Sequence, residues 1–438
     1  MTLDDADRAF ADGAVAIDGS RIVAVGPRSE LEATWRARRT LYARDRIIVP
    51  GFVNSHNHTP LMVTRGMIED ISFAPMYTSG VPQGHLMSSD DAYVFSRLAV
   101  YDLLRSGSTT IVDNYRYPER CAQAIAELGG RGIVAGRIHD ADPAALATGR
   151  YVHDRDVGRR TLDENIRLVE TWDGYDGGRI RCDWQPHAPD TCSDDLLREI
   201  ARMTAGHRGC IHTHLAQSRR EVDIVRARSG CGPVELLDRV GLLNDRLVAA
   251  HCIWIDDADI NRIGTAGATV AHSPIGNAKS STVAPILELA EAGAKITLCT
   301  DAFSNDVFEA MRWAIAMQRV RRGSFALTPR DVLSWATKTA ADALAIDGVG
   351  ALAAGFKADV VLLDATSPSL APLIDGFGIL VHGANSGDVT DVIVDGRMVV
   401  ADRRLITASG PEIVHDAQRA AERLWGEAGR RAITLPPE

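Results

Sequence analysis

The chain has 438 residues, of which 45% are hydrophobic and 24% charged, and its formal net charge is −10 at pH 7. That length exceeds the ~250–300 residues at which one core stops growing, so a large domain with a smaller companion is expected. The acidic balance argues against a nucleic-acid or anionic-membrane partner, either of which needs a basic face. No apolar run reaches the about 18 residues of a membrane-spanning helix, so no membrane partner is expected either. The opening MTLDDADRAFADG lacks the basic and apolar regions of a secretory signal, which points to a cytoplasmic protein. Seven cysteines (121, 182, 192, 210, 231, 252 and 299) show no C-x2-C spacing, so free thiols are expected rather than a disulfide framework or a Cys-ligated metal.

In chain order, GAVAIDGSRIVAVGP (13–27) reads as a β-hairpin on an Asp-Gly turn. Eight short apolar runs follow: RIIVPGFVN (46–54), STTIVDN (108–114), GIVAGRI (132–138), IRCDWQPH (180–187), CIHTHL (210–215), RLVAAHC (246–252), ATVAHSP (268–274) and AKITLCT (294–300). Nearly continuous apolar runs suit strands covered on both faces. Helical patterns separate them, among them 90–107, 193–206 and 232–243, each with Ser/Asp starts or Gly stops. This alternation predicts an α/β fold, a (β/α)8 TIM barrel. KADVVLLDATSP (357–368) and DVTDVIVDGRMVVADRR (388–404) return to β-type pattern, the second again with an Asp-Gly turn. With the first hairpin they predict a small β-sandwich domain built from both chain ends, residues 1–50 with 353–410, flanking a barrel over 51–352. Residues 411–438 are expected to dock as a helix through Val414, Ala417, Ala421, Leu424 and Ala428. The polar first dozen residues are short for an added strand, so either a trimmed small domain or a start codon assigned downstream is expected.

Chemistry concentrates at the predicted strand ends. His56-Asn57-His58 closes the first strand, and period two puts both imidazoles on one face. His187, His214, His251, His272 and Asp301 close strands four to eight, where barrel enzymes place their reacting groups. Core packing does not produce such a row, because barrel interiors favour Val, Ile and Leu and buried imidazoles need polar partners. Clustered imidazoles with a carboxylate suit a borderline divalent ion. His212 pairs with His214 at the same spacing, and spacing alone does not choose between them.

Taken in order, VPGFVNSHNH, HAPDTCS, HTHLAQS, AAHC, AHSPIGN, CTDAFSND and DGVGALAAGFKADVVLLD resemble the amidohydrolase superfamily, in the branch of guanine deaminase, S-adenosylhomocysteine deaminase and the triazine hydrolases. The resemblance implies one divalent metal ion per chain, zinc or iron, held by His56, His58 and His214 with Asp301 as the remaining ligand. It also implies that Asp301 takes a proton from the attacking water and that His251 hydrogen-bonds that water or polarises the group under attack. His187 stands where binuclear relatives carry a lysine, so a single metal is implied.

One departure stands out: the branch has His-Leu-Ala-Glu after strand five, and this chain has His214-Leu215-Ala216-Gln217. An amide cannot titrate, and positioned proton transfer is worth ~10²–10⁴ in rate. The implied reaction is hydrolytic deamination of an amino-substituted N-heterocycle or cyclic amidine, with Asp301 or His251 doing both proton transfers. The alternative is hydrolytic dehalogenation or another displacement whose leaving group needs no proton; a non-catalytic barrel is the alternative of another class. Substrate contacts are expected from His187, His272 and Ser304, and from Tyr77, Gln83 and His85 in the loop after strand one (65–91). A small heterocyclic substrate and a homodimer complete the expectation.

Overall fold

The computed structural model describes residues 1–68, 81, 82, 87–302 and 304–429. Eight parallel strands form the barrel in two arcs. The first arc runs Phe52–Asn57, Ser108–Tyr115, Arg131–Ile138 and a split fourth strand, Ile180–Cys182 with Gln185–Pro186. The second runs Ile211–Leu215, Leu247–His251, Thr269–His272 and Lys295–Leu298. Parallel bridges Trp184↔Ile211 and Asn57↔Asp301 join the arcs at both seams. At the second seam the Asp301 N–H donates to the His56 carbonyl at 3.1 Å, so a strand-eight residue is tied directly to a strand-one residue.

The run 46–54, expected as one strand, is two. Arg46–Pro50 pairs antiparallel with Val360–Asp364, and only Phe52–Asn57 enters the barrel. Gly51 lies at the break because a Cβ there would fall 2.0 Å from Thr109 Oγ1. Its N–H donates to the Asp359 carbonyl instead of a barrel neighbour.

Both chain ends build the second β layer. Arg46–Pro50, Val360–Asp364, Val389–Val394, Arg397–Ala401 and Arg404–Leu405 make one five-stranded antiparallel sheet. Asp395 and Gly396 both hold positive φ (52° and 77°), as the two-residue turn of a tight hairpin requires. The hairpin Gly13–Asp18 with Arg21–Pro27 packs Val15, Ile17 and Val25 on a cluster with Ile22, Leu352, Ala358, Val360 and Leu362. One buried ion cluster pins barrel to sheet: Arg131, at the start of strand three, reaches both oxygens of Asp359 at 3.0 Å and Asp395 at 3.1 Å.

The C-terminal helix spans Gly410–Glu427 and lies on the helix Ser89–Arg105. Its buried face is Ile413, Ala417, Leu424 and Trp425, with Ala421 and Ala428 packed against the cluster that holds the last three; of the expected stripe only Val414 departs, being half exposed, with Ile413 turned inward in its stead. The Trp425 indole N–H donates to the Val63 carbonyl at 2.8 Å beneath the barrel's first loop. All seven cysteines are free and buried, as small apolar packing groups. No described helix is long and apolar enough to cross a membrane.

Candidate metal centre and active site

Four buried histidines and one aspartate meet at the C-terminal end of the barrel. The ligand atoms of His56, His214 and His251 lie within 4.8 Å of one another, and so do those of His56, His58 and Asp301. Burial and then the neighbouring imidazoles push His56 well below the ordinary histidine range, and burial likewise lowers His58 and His214. The imidazoles are therefore neutral and carry lone pairs.

Hydrogen bonds fix which nitrogen carries the lone pair. His58 Nδ1 faces the Asn114 carbonyl at 2.6 Å, and His214 Nδ1 faces the His187 carbonyl at 2.8 Å. A carbonyl only accepts, so both Nδ1 atoms hold the proton and both Nε2 atoms are bare. Yet those two Nε2 atoms stand 3.1 Å apart. Two lone pairs at that distance repel, and a shared cation removes the conflict. Among the described residues His56 Nε2 is also buried without a hydrogen-bond partner, as is Asn114 Oδ1, and the Asn114 amide lies 3.4 Å from His56 Nδ1. Placing the amide oxygen on that side lets it accept the Nδ1 proton and leaves His56 Nε2 free to ligate, in accord with its fellows. The donor set fits a borderline divalent ion.

Asp301 Oδ1 is 3.7 Å from His58 Nε2, and Oδ2 is 3.8 Å from His251 Nε2. The Ser273 hydroxyl donates to Oδ2 at 3.4 Å, and His251 Nδ1 meets Asn277 Oδ1 at 3.1 Å. Four residues at these strand ends hold positive φ without being glycine: Ala216 (49°), His251 (77°), Cys252 (50°) and Asp301 (57°). Such backbone costs on the order of 1–3 kcal/mol per residue and concentrates where side chains must be aimed.

The remaining expected residues separate. His212 does not join the cluster; its Nε2 sits 3.0 Å from Asp183, a buried carboxylate also held by Arg181. The His187 ring bonds Thr191 Oγ1 at 2.7 Å while its carbonyl orients His214. His272 is buried with neither ring nitrogen partnered among the described residues, and burial pushes it down to about 3. The Ser304 hydroxyl is engaged by Glu309 at 2.7 Å, in the turn before the helix Val307–Arg322. Tyr77, Gln83 and His85 lie outside the described residues. Asn114 was not anticipated, although a polar residue closing the apolar run 108–114 was its signal.

Nearby His139 is buried, with Nδ1 facing the Ala141 carbonyl at 3.1 Å, and burial followed by Arg137 lowers it to about 3. Between that value and the usual ~6.5 the unfolded chain binds a proton that the folded chain refuses. Its contribution to stability is therefore complete above pH ~6.5 and lost as pH falls towards about 3. His139→Gln is expected to flatten the stability–pH curve in that window by up to about 1.4 kcal/mol per pH unit, read by urea unfolding at stepped pH.

A barrel with such a cluster at its strand ends belongs to the metal-dependent hydrolases. The sequence profile of the amidohydrolase family matches residues 47–399, and that of an imidazolonepropionase-like composite domain of bacteria matches residues 13–36. The chain belongs to the amidohydrolase family and is a metal-dependent hydrolase acting on non-peptide C–N bonds. It is 33% identical over 431 residues to the 5-methylthioadenosine/S-adenosylhomocysteine deaminase of Pelotomaculum thermopropionicum, covering 97% of this chain and 96% of that one. An adenosine deaminase from Xanthomonas campestris, solved with bound zinc, superposes with a TM-score of 0.86 at 26% identity, covering 97% of this chain and 96% of that chain. The zinc complex of the atrazine chlorohydrolase of Arthrobacter aurescens shares the fold, with a TM-score of 0.83 at 23% identity over 96% of this chain and 97% of that chain.

Proposed function

We propose that this chain deaminates an adenosine-like nucleoside, replacing the exocyclic ring amine by oxygen and releasing ammonia. The reading is carried by the convergence of four histidines and Asp301 within metal-ligating reach. The substrate class is supported by the deaminase names of relatives that match almost the whole chain.

In this reading His56, His58 and His214 hold one divalent ion, zinc or iron, with Asp301 as fourth ligand. Such an ion, when bound, lowers the pKa of a coordinated water towards ~7. Asp301 Oδ2 accepts the proton of the attacking water, steadied by the Ser273 hydroxyl. His251 Nε2, 3.8 Å from that oxygen, relays the proton towards the ring nitrogen and the departing amine. Gln217 holds the heterocycle by hydrogen bonds without carrying a proton. His187 and His272 face the substrate from strands four and seven.

The test is ammonia release by metal-loaded protein from methylthioadenosine, S-adenosylhomocysteine and adenosine, with chloride release from a chlorotriazine as the contrast. Ammonia from at least one adenosine is expected; silence across the adenosines overturns the reading. Chloride release alone would establish the displacement reading, which the non-titrating Gln217 favours. Gln217→Glu is expected to raise turnover of an amino substrate by ~10-fold or more, because it restores a titratable group. A fall on the same substrate would mean that the amide itself is required.

A further inference from the structure

Glu221 is a fully buried acid that the chemistry above does not use. It stands at the third position of the helix Arg219–Ser229, after Ser218, in the Ser-x-x-Glu pattern of a capping box. Ser218 plays its part, accepting the Glu221 N–H at 3.1 Å. The Glu221 carboxylate does not return to Ser218 as that motif would have it. It reaches past, and accepts the Ala216 N–H at 2.8 Å on one oxygen and the Gln217 N–H at 2.9 Å on the other. The same corner is gripped from its other side: the Ala216 carbonyl accepts the N–H groups of Ile253 at 3.2 Å and Trp254 at 2.9 Å, and Leu215 accepts that of Cys252 at 3.0 Å.

The network ties the end of strand five, with His214, to the end of strand six, with His251. Both turns are strained, with φ of 49° at Ala216, 77° at His251 and 50° at Cys252. Among the described residues Glu221 has no cationic partner; burial and then the neighbouring Asp190 push it well above the ordinary carboxylate range, and the two N–H groups work against that shift. A buried group that costly, spent on two backbone donors beside a strained corner, has a geometric task.

We propose that Glu221 is a positioning residue: by accepting two consecutive backbone N–H groups it holds the corner at 216–217 and so aims the Gln217 side chain. The proposal rests on the reading of Gln217 as a substrate-side residue for turnover, but its structural half does not. Glu221→Gln keeps the size and offers one acceptor oxygen where two donors converge, so one N–H faces an amide NH2. Hydrogen–deuterium exchange of the full-length variant is expected to show faster exchange in the 214–218 segment, with other barrel segments unchanged. Turnover of a deaminated substrate should fall on the order of 10²-fold, the scale of a displaced active-site group. In a Gln217→Ala background the same change should cost less than about twofold, because the group being aimed is gone. Unchanged exchange at 214–218, or an equal loss of turnover in both backgrounds, overturns the proposal. If no substrate is turned over, the deaminase reading fails while the exchange comparison still decides this one. Should Glu221→Gln not fold, the same comparisons are made on Glu221→Asp, which keeps both oxygens and shortens their reach by one methylene.

Discussion

Replacing His56 by alanine is expected to abolish stoichiometric metal binding and to reduce turnover on the order of 10³–10⁴-fold, the several kcal/mol that a Lewis-acid ion supplies at about 1.4 kcal/mol per tenfold. The argument is geometric. His56 belongs to both sets of converging ligand atoms, those with His214 and His251 and those with His58 and Asp301. Its loss therefore opens every arrangement by which the site can close on an ion. The fold should survive, because the His56 ring packs against other site imidazoles and its Nε2 takes part in no hydrogen bond among the described residues. Elemental analysis of the purified variant and a thermal scan beside the parent check both halves. A variant retaining about one metal per chain would remove His56 from the ligand set and the proposed mechanism with it.

Arg131→Ala is expected to destabilise the protein by about 3–5 kcal/mol, the cost of leaving the buried Asp359 carboxylate without its cation, while Asp395 keeps Lys357 at 3.3 Å. Arg131 and Asp359 expose 5% and 1% of their side chains, and Asp395 shares the same guanidinium. These contacts join strand three of the barrel to the sheet made by both chain ends. Removing the cation should loosen the layer rather than the metal centre, so metal content should hold while the urea midpoint falls. The pair Arg131→Met with Asp359→Leu should recover part of the loss, since apolar replacement avoids burying an orphan charge. A single variant within about 1 kcal/mol of the parent would show that the sheet is held by its apolar contacts alone.

The strand ends were readable because two periodicities disagree there. A run such as RLVAAHC is apolar until its last residues, and core packing has no use for an imidazole at that point. Eight such runs in βα alternation left few architectures open, and the histidine or aspartate closing strands one and four to eight pointed to the mouth. The break at Gly51 was not readable, since RIIVPGFVN is uniformly apolar and the contact that splits it is with Thr109, far along the chain.

His212 and His214 show the boundary most clearly. Period two puts them on one face and spacing does not rank them, although the Leu215-Ala216-Gln217 that follows favoured His214. Two residues of strand are about 6.6 Å of depth. At one level the ring meets Asp183, at the next it meets His58, and only the neighbouring strands decide which. The tautomers have the same origin: the acceptors for His58 and His214 are the carbonyls of Asn114 and His187, groups that every residue possesses and no side-chain pattern advertises. The turn at Ala216 and Gln217 is the remaining case. The sequence announced Gln217 as a departure and Ser-x-x-Glu as an ordinary helix start. The fold sends that glutamate to the backbone of Gln217, because a buried carboxylate takes the nearest unpaired donors and the strained corner supplies two. Residue types in order thus settled the class of chemistry, while which atoms face one another was left to the packing of segments remote in sequence.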